Sequence, residues 1–158
     1  MPEGQTSRVV VLGIGNELMR DDGVGVHVVR RLAREALDPR VGAIEAGTAL
    51  ADALDLVADG AAVVVVDAAS GGGPPGSIYR FGLGDLAAER GVSLHETSLP
   101  EAFALAEVAG AKFGEVVVVG VEPAEVRPGE GLSPTLEARL PAILQAVRRE
   151  VNRLLQGG

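Results

Sequence analysis

The apolar residues of this chain form short continuous runs, separated by longer stretches in which they recur every three or four positions. A short run rich in β-branched residues is typical of a strand that is buried on both faces. Four runs have this character, and a fifth alternates apolar with polar residues in the manner of a strand. They predict strands at residues 9–12, 41–46, 61–66, 77–81 and 115–121.

The stretches between these runs have helical periodicity. Ser133 and Pro134 are the residue types preferred at an N-cap and at the first helical position, so they predict the start of a final helix. Asp38-Pro39 is a typical helix stop and ends the first predicted helix. We predict helices at residues 22–37, 49–58, 99–109 and 134–155, and a helical turn within residues 83–90.

Strands that alternate with helices predict an α/β fold. We expect one domain over residues 1–158, in three layers, with a mostly parallel twisted sheet of about five strands and helices on both faces. The length fits a single core. The glycine- and proline-rich segment 70–76 is predicted to be a surface loop, because no second core follows it, and residues 1–7 are expected to be flexible.

Composition removes several classes of function. The chain has 14 basic and 22 acidic residues and a net charge of -8, so it repels phosphate backbones, and we expect no nucleic-acid partner. It has no cysteine, which excludes disulfides, thiolate ligands and a cysteine nucleophile. No apolar run is long enough to cross a bilayer and no signal-peptide core is present, so we expect a cytoplasmic monomer without a membrane partner.

Three polar residues follow separate predicted strands and are candidates for a shared site. In open α/β sheets, sites form beyond the carboxyl ends of the strands. Asp22 lies after the first strand, Asp67 ends the strand at residues 61–66, and His95 lies in the polar connection after the strand at 77–81. Two carboxylates and one imidazole suit a borderline divalent ion such as Zn²⁺ or Ni²⁺. Three protein ligands also leave coordination positions open for chemistry.

Each of these residues also has a structural explanation. Asp21 or Asp22 is expected to cap the start of the following helix, which leaves the other free to point into the crevice. Asp67 is also the type of residue that caps a turn, and His95 is also consistent with an ordinary surface histidine. His27, the other histidine, lies within the first predicted helix and is expected to be solvated.

Two other kinds of site fit the sequence poorly. Gly13 and Gly15 after the first strand suggest a dinucleotide-binding turn, but the third glycine of that fingerprint is replaced by Leu18, and carboxylates follow where a phosphate would bind. Ser93 and Ser98 lie near His95, but neither lies on the Gly-x-Ser-x-Gly turn of a serine hydrolase. A metal-dependent or metal-recognising reaction without a serine or cysteine nucleophile is therefore favoured.

Motifs along nearly the whole chain resemble those of the hydrogenase maturation endopeptidases, in the same order and with similar spacing. The opening motif, combined with the isolated aspartate and histidine, carries most of the specificity. The matching segments are Gly13-Ile14-Gly15-Asn16-Glu17-Leu18, Asp21-Asp22-Gly23-Val24-Gly25-Val26, Glu45-Ala46-Gly47-Thr48, Val65-Val66-Asp67-Ala68, Pro75-Gly76, Ser93-Leu94-His95, Val119-Gly120-Val121-Glu122-Pro123 and Gly131-Leu132-Ser133-Pro134.

The resemblance implies a protease that removes the C-terminal extension from the precursor of a nickel–iron hydrogenase large subunit after nickel insertion. It maps the family's three metal-contacting positions onto Asp22, Asp67 and His95, and so selects Asp22 over Asp21. The implied ion is Ni²⁺ carried by the precursor, for which Zn²⁺ or Cd²⁺ could substitute in vitro. Gly47-Thr48, at another strand end, is a candidate for binding the substrate backbone.

Two alternative functions are also consistent with parts of this sequence. A non-enzymatic chaperone that binds nickel or the precursor would use the same three ligands. A nucleotide-binding domain would use Gly13 and Gly15 instead.

Overall fold

The strands of this protein form where the sequence has its continuous apolar runs. The computed structural model describes residues 7–88, 91–96 and 99–157, with the side chains of residues 86–88 left out of the description. Its strands are β1 (Val9–Ile14), β2 (Val41–Gly47), β3 (Ala62–Ser70), β4 (Ile78–Gly82), β5 (Ser93–Leu94) and β6 (Val116–Val121). Its α-helices are α1 (Val24–Ala33), α2 (Leu50–Leu54), α3 (Leu99–Val108) and α4 (Pro134–Gly157), with 3₁₀ segments at Arg20–Gly23 and Leu83–Ala88.

The strands form one sheet in the order β2-β1-β3-β6-β4. Neighbours among β2, β1, β3 and β6 are parallel, whereas β4 pairs with β6 in the antiparallel direction. The short strand β5 lies off this path and pairs antiparallel with the end of β3, where Ala69 faces Leu94 and Ser70 faces Ser93. The predicted α/β fold with a mostly parallel sheet is therefore confirmed.

The core lies on both faces of this sheet because successive strand residues point to opposite sides. Val64 and Val66 of β3 pack with α1 and α4 on one face. Val63 and Val65 pack with α2 and α3 on the other. A strand that is covered on both faces needs apolar residues at every position, which explains why the central strands read as unbroken apolar runs.

One glycine in β1 and one in α1 allow a close contact between helix and sheet. A Cβ atom on Gly25 would lie 2.1 Å from the carbonyl oxygen of Val66, and one on Gly13 would lie 2.2 Å from the carbonyl oxygen of Gly25. Only glycine allows α1 to pass this close to β1 and β3. These glycines thus have a packing function that requires no nucleotide.

Several predicted boundaries are corrected by tertiary contacts. The first helix begins as a 3₁₀ turn and α1 ends at Ala33, four residues before the predicted end at residue 37. The strand predicted to end at Val66 continues as β3 to Ser70, because its end gains β5 as a partner. The polar connection predicted at residues 91–97 therefore contains a strand. No helix in the described part of the chain has the length and apolar character needed to cross a membrane.

Candidate functional site

Asp22 lies in the 3₁₀ segment Arg20–Gly23, between β1 and α1. Its Oδ2 accepts a hydrogen bond from the N–H of Asn16 at 2.9 Å, and its Oδ1 lies 2.7 Å from Nδ1 of His95. The chain can turn back here because Gly15 has a φ of +123°, and a Cβ atom on Gly15 would lie 2.0 Å from the Asp22 carbonyl oxygen. The prediction that Asp22 points towards the crevice and His95 agrees with this geometry.

Asp21 has a different position from its neighbour. Its side chain is fully buried and accepts hydrogen bonds from the N–H groups of Ala124, Glu125 and Ser133 and from the Ser133 hydroxyl. The expectation that one of the two aspartates caps the following helix is wrong, because neither makes a side-chain cap there. Asp21 instead joins the segment after β1 to the loop before α4, where Ser133 is the N-cap that the sequence predicts.

Asp67 lies within β3 and is fully buried. Its Oδ1 accepts the N–H of Ala68 at 2.8 Å, and its Oδ2 accepts the N–H of Glu96 at 3.0 Å. The pKa of this carboxyl is raised to about 8, chiefly by burial and to a smaller extent by the negative charges of Asp22 and Glu96, while the two N–H bonds lower it in part. The carboxyl therefore changes between its protonated and ionised forms near a pKa of about 8.

His95 follows β5, and its main-chain N–H donates to the carbonyl of Ala68 at 3.1 Å. Its ring bridges two side chains, with Nδ1 at 2.7 Å from Asp22 Oδ1 and Nε2 at 3.2 Å from Ser70 Oγ. An ionised carboxylate only accepts hydrogen bonds, so Nδ1 of His95 is the donor to Asp22. In the tautomer with its proton on Nδ1, Nε2 accepts the hydrogen bond of the serine hydroxyl. The structure thus brings together the three predicted site residues.

Ser70 was not identified by the sequence reasoning, which considered Ser93 and Ser98 instead; Ser98 lies outside the described residues. The only signal for Ser70 would have been the extension of β3 past Asp67. The order Asp22, His95, Ser70 has the connectivity of a catalytic triad. However, the N–H that follows Ser70, that of Gly71, donates to Glu122 Oε1 at 2.8 Å and is not free to form an oxyanion hole.

The three residues do not form a ready metal site in this conformation. Within residues 7–88, 91–96 and 99–157, no three His, Asp or Glu side chains are grouped in a way that could hold an ion. The donor types suit Ni²⁺ or Zn²⁺, but both nitrogens of His95 are engaged in hydrogen bonds. The metal-binding function of these residues therefore stays a prediction.

The polar side chains of the site are partly exposed to solvent. The side chains of His95 and Asp22 are 26% and 17% exposed, above the buried Asp67. A groove of about 1190 Å³ lies away from this site, and it is lined by β2 and by the loops that follow α1 and α2. The partial exposure of His95 and Asp22 leaves these two groups accessible to a substrate.

The prediction for His27 is also corrected by the structure. The ring of this histidine on α1 was expected to be solvated, but its Nε2 is buried and has no hydrogen-bond partner among the described residues.

Comparison with known proteins identifies close counterparts over most of the chain. The model of the hydrogenase maturation protease family matches residues 26–150, a range that contains Asp67 and His95. The chain is 34% identical over 154 residues to the hydrogenase expression/formation protein HupD of Rhodobacter capsulatus. The aligned region covers 94% of this chain and 73% of HupD. It is 29% identical over 144 residues to the hydrogenase 2 maturation protease of Escherichia coli K12, with 89% and 88% covered.

Solved structures show the same fold. The chain is similar to the hydrogenase maturating endopeptidase HybD from E. coli, with a TM-score of 0.79 and 27% identity over 92% of this chain and 93% of HybD. It is also similar to the hydrogenase 2 maturation peptidase from Thaumarchaeota archaeon SCGC_AB-539-E09, with a TM-score of 0.68 and 32% identity over 92% and 98%. The first of these is an endopeptidase and the second a maturation peptidase, which supports a protease over a non-enzymatic chaperone. The chain belongs to the hydrogenase maturation protease family.

Proposed function

We propose that this protein removes the C-terminal extension from the precursor of a nickel–iron hydrogenase large subunit, after nickel has been inserted, and that Asp22, Asp67 and His95 contact that nickel. The observation that carries the proposal is the pairing of His95 Nδ1 with Asp22 Oδ1 at 2.7 Å, at the carboxyl edge of the sheet. The family supports the protease activity. The substrate, the metal and the residues are our inference.

The arrangement suits an ion that arrives with the substrate. Asp22 and His95 satisfy each other's polar atoms, and Asp67 has two N–H donors, so the site is stable without a cation. Nickel held in the precursor would compete with these hydrogen bonds for the Asp22 carboxylate and the His95 ring. Cleavage would then depend on nickel, because a precursor without it offers nothing to replace them.

Asp67 is our candidate for the proton transfer. Peptide hydrolysis joins a water oxygen to the scissile carbonyl carbon, moves a proton from that water to a base, and delivers a proton to the amine that leaves when the C–N bond breaks. A base works best when its pKa is near the working pH. The pKa of Asp67 is raised to about 8, chiefly by burial, and a cation beside the carboxyl would lower it from there. The substrate's ion would polarise the carbonyl or lower the pKa of the water.

The test is cleavage of nickel-loaded precursor, with the released C-terminal peptide detected by mass spectrometry. We expect H95A and D22N each to process the precursor at least about 100-fold more slowly, since each removes a group that meets the reacting region. The exposed Asp59, outside the site, provides a matched control as D59N, which we expect to process normally.

Processing at the wild-type rate by both H95A and D22N would contradict the assigned site. Binding of the precursor by the wild-type protein without release of any peptide would contradict the protease itself and favour the chaperone.

A further inference from the structure

Two large apolar side chains are exposed beside the site. Leu18 is 58% exposed in the segment after β1, and Val126 is 45% exposed in the loop after β6. Among the described residues, the other exposed large apolar side chains are Leu105 and Val108 on α3 and Leu56 in the turn that follows α2. Exposed apolar groups that gather near a site often mark an interface.

The segments that carry these two side chains are joined to each other. The Gly129 N–H donates to the Leu18 carbonyl at 2.9 Å, and the Arg20 N–H donates to the Gly129 carbonyl at 3.1 Å. A third main-chain bond of 3.0 Å runs from the Asp21 N–H to the Glu125 carbonyl. We call residues 16–20 and 124–130 together the paired-loop platform.

Hydrogen bonds to a buried side chain fix the backbone of the platform. The buried Asp21 carboxylate accepts the N–H groups of Ala124 and Glu125, two residues that precede Val126. Arg20 is held at a φ of +50°, which non-glycine residues rarely adopt. A backbone that is fixed in advance loses little conformational freedom on binding, so its exposed side chains are suited to recognition.

The platform is continuous with the proposed site. The Leu18 N–H donates to Oδ1 of Asn16, and the Asn16 N–H donates to Oδ2 of Asp22. Leu18 is therefore joined through one residue to the carboxylate that pairs with His95. A protein that presents a group to Asp22 would also come close to Leu18.

Most charged side chains of the platform are engaged within the protein, which leaves its apolar side chains as the groups offered to a partner. Arg127 pairs with Glu125 at 2.7 Å, and Glu17 pairs with Arg30 of α1. Arg20 donates through Nη1 to the carbonyl of Glu130, whose side chain is exposed at the end of the platform. Leu18 and Val126 are exposed on loops and do not line the groove beside β2. Projecting side chains of this kind fit shallow apolar depressions on a folded surface.

We propose that the paired-loop platform is the surface on which the folded precursor docks, with Leu18 and Val126 contacting an apolar patch next to the precursor's metal. This inference rests on the proposed function, since it assigns the docking surface for the same substrate. Leu18 and Val126 are binding residues here and take no part in bond cleavage.

The experiment compares two pairs of matched variants on nickel-loaded precursor. L18S and V126S remove the proposed contacts, while L105S and V108S make the same changes at residues that are 70% and 87% exposed on α3. We expect KM to rise about tenfold for L18S and several-fold for V126S, because about 1.4 kcal/mol of lost apolar burial corresponds to a factor of ten. We expect kcat to stay within about twofold, and the conservative variant L18M to retain most of the wild-type KM.

Direct binding of precursor to the immobilised protein separates the outcomes. Equal KM and binding for the platform variants and the α3 variants would overturn the proposal. A fall in kcat with unchanged KM would also overturn it, since the residues would then act on the reaction. Self-association of the wild-type chain that L18S abolishes, with KM unchanged, would assign the platform to a second copy instead.

If the proposed function is wrong, the wild-type protein releases no peptide from the precursor. The binding measurement still tests the platform in that case. Weaker binding by L18S and V126S than by L105S and V108S would support docking, and equal binding would reject it.

Discussion

Two aspartates are fully buried at the carboxyl edge of the sheet, and their surroundings differ. Asp21 lies where the loops after β1 and β6 meet, and it accepts four hydrogen bonds. Asp67 lies where β3 meets β5, and among the described residues it accepts two. Burial disfavours a charged carboxyl unless donors compensate for the lost water.

The comparison shows that burial alone does not mark a functional carboxylate. Asp21 is surrounded by donors and serves to join two loops. Burial is the main reason that the pKa of Asp67 is raised to about 8; its two N–H donors offset this only in part, and its two acidic neighbours add to it. A buried acid whose pKa lies near neutrality is a candidate for chemistry when it also borders an open site.

Replacing Asp21 by alanine is expected to have the largest effect on stability. D21A would leave the buried N–H and hydroxyl of Ser133 and the partly buried N–H groups of Ala124 and Glu125 without their acceptor. We expect the free energy of unfolding to fall by about 3–5 kcal/mol, since each buried unsatisfied group costs about 1–3 kcal/mol and the loops relax in part. Urea denaturation followed by circular dichroism measures this. A loss below about 1 kcal/mol would mean that Asp21 does not hold the loops together.

The pH dependence of stability is expected to distinguish Asp67. Its pKa is higher in the folded state, about 8, than the ordinary value of 3.8, so the folded protein binds the extra proton between these values. The stabilisation from this proton is fully present below pH 3.8 and is lost as the pH rises through about 8. Asp67 thus contributes a slope of at most about -1.4 kcal/mol per pH unit in this window.

The measurement compares the free energy of unfolding of wild type and D67N from pH 5 to pH 9. We expect the difference between the two proteins to shift in favour of D67N as the pH rises. Taking the difference cancels the contributions of other carboxylates, such as Glu17 and Glu115, whose pKa values are lowered by their arginine partners. Parallel curves would show that the Asp67 carboxyl is ionised throughout.

Replacing Ser70 by alanine is expected to have the smallest effect. The contact between Ser70 Oγ and His95 Nε2 is an exposed hydrogen bond of 3.2 Å, worth about 0.5–1 kcal/mol. We therefore expect S70A to process precursor within about fivefold of wild type. A loss of 1000-fold or more, of the order seen when a nucleophile is removed, would make Ser70 the nucleophile and contradict the metal-recognising site.

Much of the fold is encoded locally and was predictable. The apolar run at residues 61–66 specifies β3 because a central strand is buried on both faces, and Ser133-Pro134 specifies the start of α4 through its own capping chemistry. β5 was not predictable, because two residues carry no periodicity and Ser93–Leu94 becomes a strand only by pairing with β3.

The candidate site was likewise predictable only in part. The grouping of Asp22 with Asp67 follows from the sequence, because parallel strands present their carboxyl ends at one edge. The same argument fails for His95, because β4 is antiparallel and ends at the opposite edge, and His95 reaches the site through the pairing of β5 with β3. Its place in the group was predictable only from the order of motifs that resembles a known family. The residues themselves leave Asp21 and Asp22 equivalent. Their separation depends on Ser133, which lies 112 residues further along the chain.

The sequence by itself determined the fold class, the family and the three residues that meet at the sheet edge. Only the tertiary structure decided which aspartate is locked in place, that Ser70 reaches His95, and that Leu18 shares a platform with the loop of Val126. The physical reason is that local patterns report which side of an element is buried. The partner that covers it comes from a distant part of the chain and is chosen by packing.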